Sequence, residues 1–273
     1  MKQMEIDKRF VFSGSAVGAA AHFFHLDHVP VDHVVPTIGS SAIPIVGGRT
    51  HHKVGPQTHT TDHPRTRTLL SVEQAETIAS GKEDSPGKYS TEISATVNGL
   101  SVLEKFHTEL IVMHQTSTRD EDAPESSIKT SGCKIEGLRL GDVRVKVELD
   151  EEPFATCGTK RELNVFYAAQ SDAWRRENSW RFHTDPGAKT IAEYHGRFFC
   201  TLVKNIELSG TDGGSIEKEW YTIKWDGFGR IFLGELIISD KDRKVTMVRL
   251  KMGSSGGGKG SAGGGETNSG TAP

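Results

Sequence analysis

The chain has 273 residues and a formal net charge of −3, and its basic residues are interspersed with acidic ones. Nucleic-acid binding needs a clustered basic surface, so the charge pattern argues against a nucleic-acid partner. No apolar run reaches the roughly 18 residues of a membrane-spanning helix, and a hydrophobic content of 35% predicts thin β layers with much exposed surface.

The N-terminus and the cysteines bear on the cellular compartment. The first residues, MKQMEIDKRFVFSGSAVGAAAHF, place two acids before a short apolar patch and show no clear cleavage site. Cys133, Cys157 and Cys200 are far apart and odd in number, which predicts free buried thiols. We therefore predict a cytoplasmic protein, with export by a route that uses no classical signal peptide as the alternative.

Residues 1–68 are predicted to form extended strands followed by a His-rich arm. Alternation begins at Phe10 and Phe12, and small Ala and Gly residues then predominate up to residue 24. This pattern indicates strands that allow close packing of layers. Three prolines between residues 29 and 48 indicate an edge strand, because proline has no backbone N–H to donate. The polar residues 49–68 are typical of a surface arm.

Residues 69–252 are predicted to form a β-rich core. Apolar and polar residues alternate from 92 to 97 and lead into Asn98-Gly99, which is typical of a hairpin turn. Residues 143–149 alternate in the same way, which indicates a half-buried antiparallel strand with one wet face.

One main helix, at about residues 159–176, is predicted within this core. Thr159 and Glu162 have the spacing of a capping box, in which two side chains satisfy free amide donors. Apolar residues from Leu163 to Trp174 then recur at helical spacing. The predicted fold class is thus mainly β, as an antiparallel β-sandwich or stacked-sheet architecture with one inserted helix.

The most apolar stretch, Trp225–Met252, is predicted to be a long β-hairpin. Both alternating sets of residues 231–238 are apolar apart from Gly234 and Glu235, so both faces of this strand are predicted to be covered. The second strand mixes apolar residues with Thr, Arg and Lys and is predicted to lie nearer an edge. That edge is the predicted meeting place of a partner.

Residues 253–273 form a Gly/Ser-rich tail of low complexity. This composition predicts a flexible linker. Binding to a partner is one way in which such a segment gains order.

A histidine cluster is the candidate metal site. His22, His25, Asp27 and His28 offer zinc-compatible donors, and a helix would place several of them on one face. The surrounding prolines and glycines favour strand and loop, so surface histidines that bind no metal are the alternative. Zinc is the one cofactor that the sequence suggests.

Several aromatic residues could either belong to the core or form a face that binds a sugar or a protein. They are Trp174, Trp180, Trp220, Tyr221, Trp225 and Phe228. No glycine-rich phosphate loop, nucleophile elbow or HExxH motif is present, so the sequence predicts no catalytic residue and no cofactor-binding residue beyond the histidines.

A family resemblance covers about the middle third of the chain and its C-terminal end. The runs ISATVNGLSVLE, EKFHTELIVMHQTST and SSIKTSGCKIEGLRLGDVRVKVEL resemble bacterial β-rich proteins of the choice-of-anchor type, in which a strand pair precedes a Ser-rich turn and a G-L-x-x-G strand unit. The C-terminal GFGRIFLGELIIS and RKVTMVRLKMGSSGGG resemble the ends of uncharacterised bacterial proteins. The motifs that carry the resemblance are structural, and the resemblance brings no established catalytic residues.

Three functions follow as hypotheses. The leading one is a non-enzymatic, self-assembling structural protein that forms a homo-oligomer or binds another protein through sheet edges and extended arms. The second is a metal-binding protein or metal-dependent enzyme that uses His22, His25, Asp27 and His28. The third is a carbohydrate-binding β-sandwich that uses the tryptophans.

Overall fold

A computed structural model of the protein describes residues 10–26, 29–62, 66–210, 216–253 and 257–268. Two antiparallel sheets, A and B, pack face to face, so the predicted mainly-β, two-layer fold is confirmed. None of the helices in these ranges has the length and apolar character needed to cross a membrane.

Among the described residues, sheet A contains eight strands. They are β1 (Gly14–Leu26), β2 (Val29–Ala42), β13 (Phe198–Thr201), β15 (Ile216–Glu219), β16 (Thr222–Trp225), β17 (Gly229–Ile238), β18 (Asp242–Met252) and β19 (Gly258–Asn268). Their order across the sheet is β15-β16-β17-β18-β19-β1-β2, and β13 pairs with the far end of β17. The predicted hairpin is therefore present as β17 and β18.

Sheet B contains eleven strands within the described ranges. They are β3 (Gly48–Val54), β4 (Gln57–Thr61), β5 (Arg67–Val72), β6 (Gln74–Ser85), β7 (Lys88–Val102), β8 (Phe106–Asp120), β9 (Ser127–Thr130), β10 (Lys134–Glu136), β11 (Leu138–Leu140), β12 (Val143–Leu149) and β14 (Val203–Ser209). The main path across the sheet is β14-β12-β11-β8-β7-β5-β4, and β6 joins β7 to β3. Strands β9 and β10 pair with β8.

The Gly-rich segment is the main correction to the sequence prediction. Residues 258–268 form strand β19, which lies between β18 and β1 in the middle of sheet A. The prediction of a flexible tail is wrong for these residues, because both of their backbone edges find a strand partner. The prediction that β18 lies nearer an edge is also wrong, since β19 occupies that side.

Small residues in β1 and β19 let the two sheets approach closely. A Cβ atom on Gly265 would lie 2.9 Å from Ile93 Cδ1, and one on Gly263 would lie 2.6 Å from Ile111 Cγ2. These contacts are shorter than van der Waals distances, so glycine is the residue that fits. A buried polar contact also joins the two sheets, in which the Thr267 hydroxyl donates to Gln115 Oε1 at 3.3 Å.

The Asn98-Gly99 hairpin turn was predicted in the wrong place. Strand β7 runs on through these residues to Val102, and the turn to β8 lies at residues 103–105, where Leu103 and Glu104 have positive φ. Gly99 has a φ of +61° and lies where the chain partner of β7 changes from β6 to β5. The dipeptide therefore makes an irregularity within a strand.

The helix predicted at about residues 159–176 is present as two helices, the second and third of the three α-helices in this segment. The helices are α1 (Glu152–Thr156), α2 (Lys160–Ala169) and α3 (Asp172–Asn178), followed by a 3-10 helix (Ser179–Phe182). The Thr159–Glu162 capping box starts α2 as predicted. The break comes at Gln170, which is extended, and Ser171, whose hydroxyl accepts from the Trp174 N–H and caps α3.

A buried arginine ties this helical segment to sheet A. The Arg243 side chain is fully buried, and its guanidinium donates to the carbonyls of Phe154 and Cys157, each at 3.0 Å. These carbonyls lie at the C-terminal end of α1, where the helix dipole favours a cation. Burial lowers the pKa of Arg243 to about 10.

The close approach of β19 to sheet B can be tested with two neighbouring glycines. A Cβ atom at Gly263 meets Ile111 and would sit on a backbone with a φ of +62°, whereas one at Gly264 meets only the Val245 carbonyl oxygen at 3.8 Å. We expect Gly263→Ala to lower the free energy of unfolding by about 1–3 kcal/mol. The control Gly264→Ala should change it by less than about 0.5 kcal/mol. Urea denaturation of both variants measures this, and equal effects would contradict the packing described.

Candidate functional site

A half-enclosed pocket on the outer face of sheet A brings together several polar and aromatic side chains. Its volume is about 460 Å³, which lies in the range typical of small-molecule sites. It is lined by His183, Phe199, Cys200, Tyr221, Glu235, Leu236, Ile237, Lys244, Thr246, Arg249 and Ser261. We call it the sheet A pocket.

Strands β17, β18 and β19 form the floor of the pocket. Residues that are directly opposite on paired strands share a face, so Phe232, Arg249 and Ser261 form one row across the sheet. Glu235 and Thr246 form the next row. Strand β19 contributes only the small Ser261 here. The larger side chains of β17 and β18 therefore project further from the sheet than the side chain of β19 does.

A closed ion pair dominates the floor. Arg249 donates from Nε and Nη2 to the two carboxylate oxygens of Glu235, each at 2.6 Å. The guanidinium also lies 3.7 Å from the centre of the Phe232 ring. Bidentate geometry and cation–π contact hold the pair in one orientation. The hydrogen bonds to Glu235 raise the pKa of Arg249.

Two loop residues with unusual backbone geometry build the wall. His183 ends the 3-10 helix with a φ of 45°, and Tyr221 follows Trp220, whose φ is 53°. Left-handed backbone at residues other than glycine carries strain and often marks functional sites. These turns bring the ring centres of His183 and Tyr221 to 5.2 Å from each other.

The wall residues are neutral at pH 7. Burial lowers the pKa of His183, although Glu235 acts in the opposite direction. Burial and the charge of Glu235 raise the pKa of Tyr221. His183 thus presents one ring nitrogen as a donor and the other as an acceptor, and Tyr221 keeps its proton.

Several of these polar groups are uncommitted. Within the described part of the chain, the ring nitrogens of His183 and the hydroxyls of Tyr221, Thr246 and Ser261 have no hydrogen-bond partner. In contrast, both oxygens of Glu235, the only carboxylate among the lining residues, accept from Arg249. The pocket therefore offers neutral donors and acceptors around a compensated ion pair.

The pocket continues into a more apolar groove towards β2. This groove has a volume of about 430 Å³ and shares Arg249 and Ser261 with the sheet A pocket. Ala20, Val34 and Pro36 are among its walls. One open trough thus crosses the outer face of sheet A.

The predicted metal cluster is only partly covered by the structure. His22 and His25 lie on β1, whereas Asp27 and His28 fall outside the described residues. His22 Nε2 lies 2.5 Å from the carboxylate of Asp32, and His25 is exposed. No group of three or more His, Cys, Asp or Glu side chains in the described ranges is placed to hold a metal ion. Zinc binding by these histidines stays a prediction.

The aromatic set does not form one exposed face. Trp225 and Phe228 are buried, and Trp174 and Trp180 are partly buried against the core. Trp220 is 66% exposed but does not line the sheet A pocket. Tyr221 is the member of the set that reaches the pocket.

The three cysteines are free and buried, as predicted. Burial raises the pKa of Cys133 and that of Cys200 to about 12. The Cys200 thiol beside the pocket is therefore protonated at pH 7 and is a poor nucleophile. The cytoplasmic location stays a prediction.

The comparisons place the chain in a family. A family described as a domain of unknown function (DUF8256) matches residues 10–239. The chain belongs to the DUF8256 family. The matched region includes His183, Tyr221 and Glu235, whereas Arg249 and Ser261 follow it. No curated protein and no solved structure matches the chain.

The sequence did not predict this pocket, and Tyr221 was the one lining residue among its candidate binding residues. Glu235 stood out because it interrupts an apolar run, which is a signal for a special position on an otherwise covered strand. Tyr221 belonged to the aromatic set considered for sugar or protein binding, whereas His183 gave no signal, since its place in the pocket depends on a turn with positive φ. The contribution of Ser261 was hidden in the segment predicted to be flexible.

Proposed function

We propose that the protein is a non-enzymatic binding protein whose sheet A pocket takes a small neutral polyhydroxyl ligand, namely a mono- or disaccharide. The observation that carries the proposal is the set of uncommitted neutral groups, on His183, Tyr221, Thr246 and Ser261, around one pocket. Sugar hydroxyls both donate and accept, as these groups do.

The electrostatics favour a neutral ligand over a charged one. The charge of Arg249 is compensated by Glu235 at 2.6 Å, so the floor does not need a counterion. Lys244 is the remaining cation of the lining, and it is exposed at the rim. A charged ligand would lose hydration in the pocket without gaining a free partner of opposite charge on the floor.

Aromatic surface supports the same ligand class. The rings of Tyr221 and Phe199 line the pocket beside the polar groups. The apolar C–H faces of a sugar pack on such rings, while its hydroxyls reach the polar atoms. This is the carbohydrate-binding hypothesis, with Tyr221 in the role that the sequence assigned to tryptophan.

Binding to a panel of mono- and disaccharides, measured by isothermal titration calorimetry, tests the proposal. We expect at least one sugar to bind, and Tyr221→Ala to weaken it about tenfold or more through the lost aromatic contact. Glu235→Gln should weaken it by a similar factor, because Arg249 loses its fixed orientation.

Trp220→Ala is the matched control, since this neighbouring aromatic side chain lies outside the pocket. It should leave the dissociation constant unchanged. Absence of binding across the panel would contradict the proposal, as would an equal loss in the Trp220→Ala and Tyr221→Ala variants.

Assembly with copies of the same chain is a second candidate function. Val34 is 61% exposed on β2, and Ile45 and Val46, which follow β2, are 68% and 80% exposed. Exposed apolar side chains near an apolar groove are typical of protein contacts. Val34 lines this groove, and we propose that a second copy covers sheet A at its β2 edge.

Light scattering over a range of concentrations tests the assembly. The wild-type protein should form a dimer or a larger species, and Val34→Glu should shift it towards the monomer because a charge enters the contact. Val165→Glu is the control, since Val165 is 62% exposed on α2. A wild-type monomer at high concentration would contradict this candidate.

A further inference from the structure

A row of polar side chains crosses the outer face of sheet B. The register places seven residues opposite one another on seven strands: Thr58, Ser71, Ser101, His107, Arg139, Arg144 and Ser209. Directly opposed residues share one face of a sheet. Their neighbours along the strands, such as Leu100 and Leu138, are buried, so the row faces outward. We call it the sheet B ladder.

The ladder lies along a long open groove. One part has a volume of about 770 Å³ and is lined by residues from Pro56 to Gly141, and a second part of about 550 Å³ extends to Ser209. Gly137 and Arg139 belong to both parts, so the groove is continuous. Six steps between strands, at roughly 4.8 Å each, make the ladder about 29 Å long. A ligand that fills such a groove is a linear polymer.

Two bulge glycines shape the groove. Gly99 and Gly137 have φ values of +61° and +66°. A Cβ atom would lie 2.3 Å from Glu73 Cγ at the first position and 2.4 Å from Glu109 Cγ at the second. The glutamate side chains therefore lie flat across the glycines, and Glu109 reaches Arg139 at 3.5 Å.

The ladder contains a pair of like charges that is expected to destabilise the fold. Arg139 and Arg144 are directly opposite on β11 and β12, and like charges in that position repel. Glu109 lies near Arg139, but Arg144 has no ion pair with any residue that the structure describes. The position thus holds an uncompensated cation, and two arginines on directly paired strand positions suit an oxyanion.

The other half of the ladder offers free hydroxyls. Those of Thr58, Ser71 and Ser101 make no hydrogen bond within the described ranges. They form a straight row that leads to His107 and the two arginines. The groove thus combines hydroxyl partners with one place for an anion.

We infer that the sheet B ladder binds an acidic polysaccharide, with a carboxylate or sulfate group held between Arg139 and Arg144. Nucleic acid fits less well, because its phosphates are closely spaced and the groove also holds Glu73 and Glu109. Among the described residues, no Phe, Tyr or Trp side chain lines either part of the groove for base stacking. Peptides usually add to a sheet edge, whereas the ladder lies on a sheet face.

The test uses the full chain and five probes in affinity electrophoresis: polygalacturonate, dextran sulfate, neutral dextran, single-stranded DNA and polyglutamate. We expect binding to polygalacturonate or dextran sulfate, and the stronger of these two identifies carboxylate or sulfate as the bound group. Dextran should not bind, and added salt should weaken the interaction.

Arg144→Gln should weaken this binding about tenfold or more. Its melting temperature should not fall below that of the wild type, because the substitution removes a repulsive charge pair. Arg230→Gln is the matched control, since it removes the same charge from an exposed position on sheet A. It should leave binding unchanged.

The inference is overturned if neither acidic polysaccharide binds, or if Arg144→Gln and Arg230→Gln lose binding equally. It is also overturned if DNA or polyglutamate binds as tightly as the better of the two acidic polysaccharides. Tyr221→Ala should not affect binding of the acidic polymer, because Tyr221 lies on the other sheet. The outcome is therefore independent of the function proposed for the sheet A pocket.

Discussion

The insertion of β19 between β18 and β1 is the interaction on which the rest of the structure depends. Strands β1 and β18 come from opposite ends of the chain, and each has one edge that only β19 pairs. The backbone groups of those edges would otherwise be unpaired in the middle of sheet A. Glycine suits this strand because Ile111 and Met113 of sheet B leave no room for side chains at Gly263 and Gly265.

The insertion of β19 also shapes the outer face of sheet A. On sheet A, the small Ser261 of β19 forms a low floor beside Arg249, so a pocket and a groove open across the strands. On sheet B, the register of seven antiparallel strands aligns seven polar residues. The proposed binding sites therefore depend on sheet faces and on register rather than on sheet edges.

The sequence predicted features that depend on local pattern. The β17–β18 hairpin, the alternation in β7 and β12 and the Thr159–Glu162 capping box follow from neighbouring residues. Strand β19 could not be predicted in this way, because glycine has low β propensity. In addition, the strand pairs with residues that are distant in sequence, as Ser261 does with Ala20. Likewise, the direct opposition of Arg139 and Arg144 becomes visible only once the strands are paired.

Hydrogen–deuterium exchange of residues 258–267, measured by mass spectrometry on the full chain, tests the central claim most directly. Amides that are bonded within a buried sheet exchange through opening of that sheet, whereas those of a flexible segment exchange at once. We expect these amides to be protected to the same degree as those of β18. Exchange as fast as that of an unstructured peptide would contradict it.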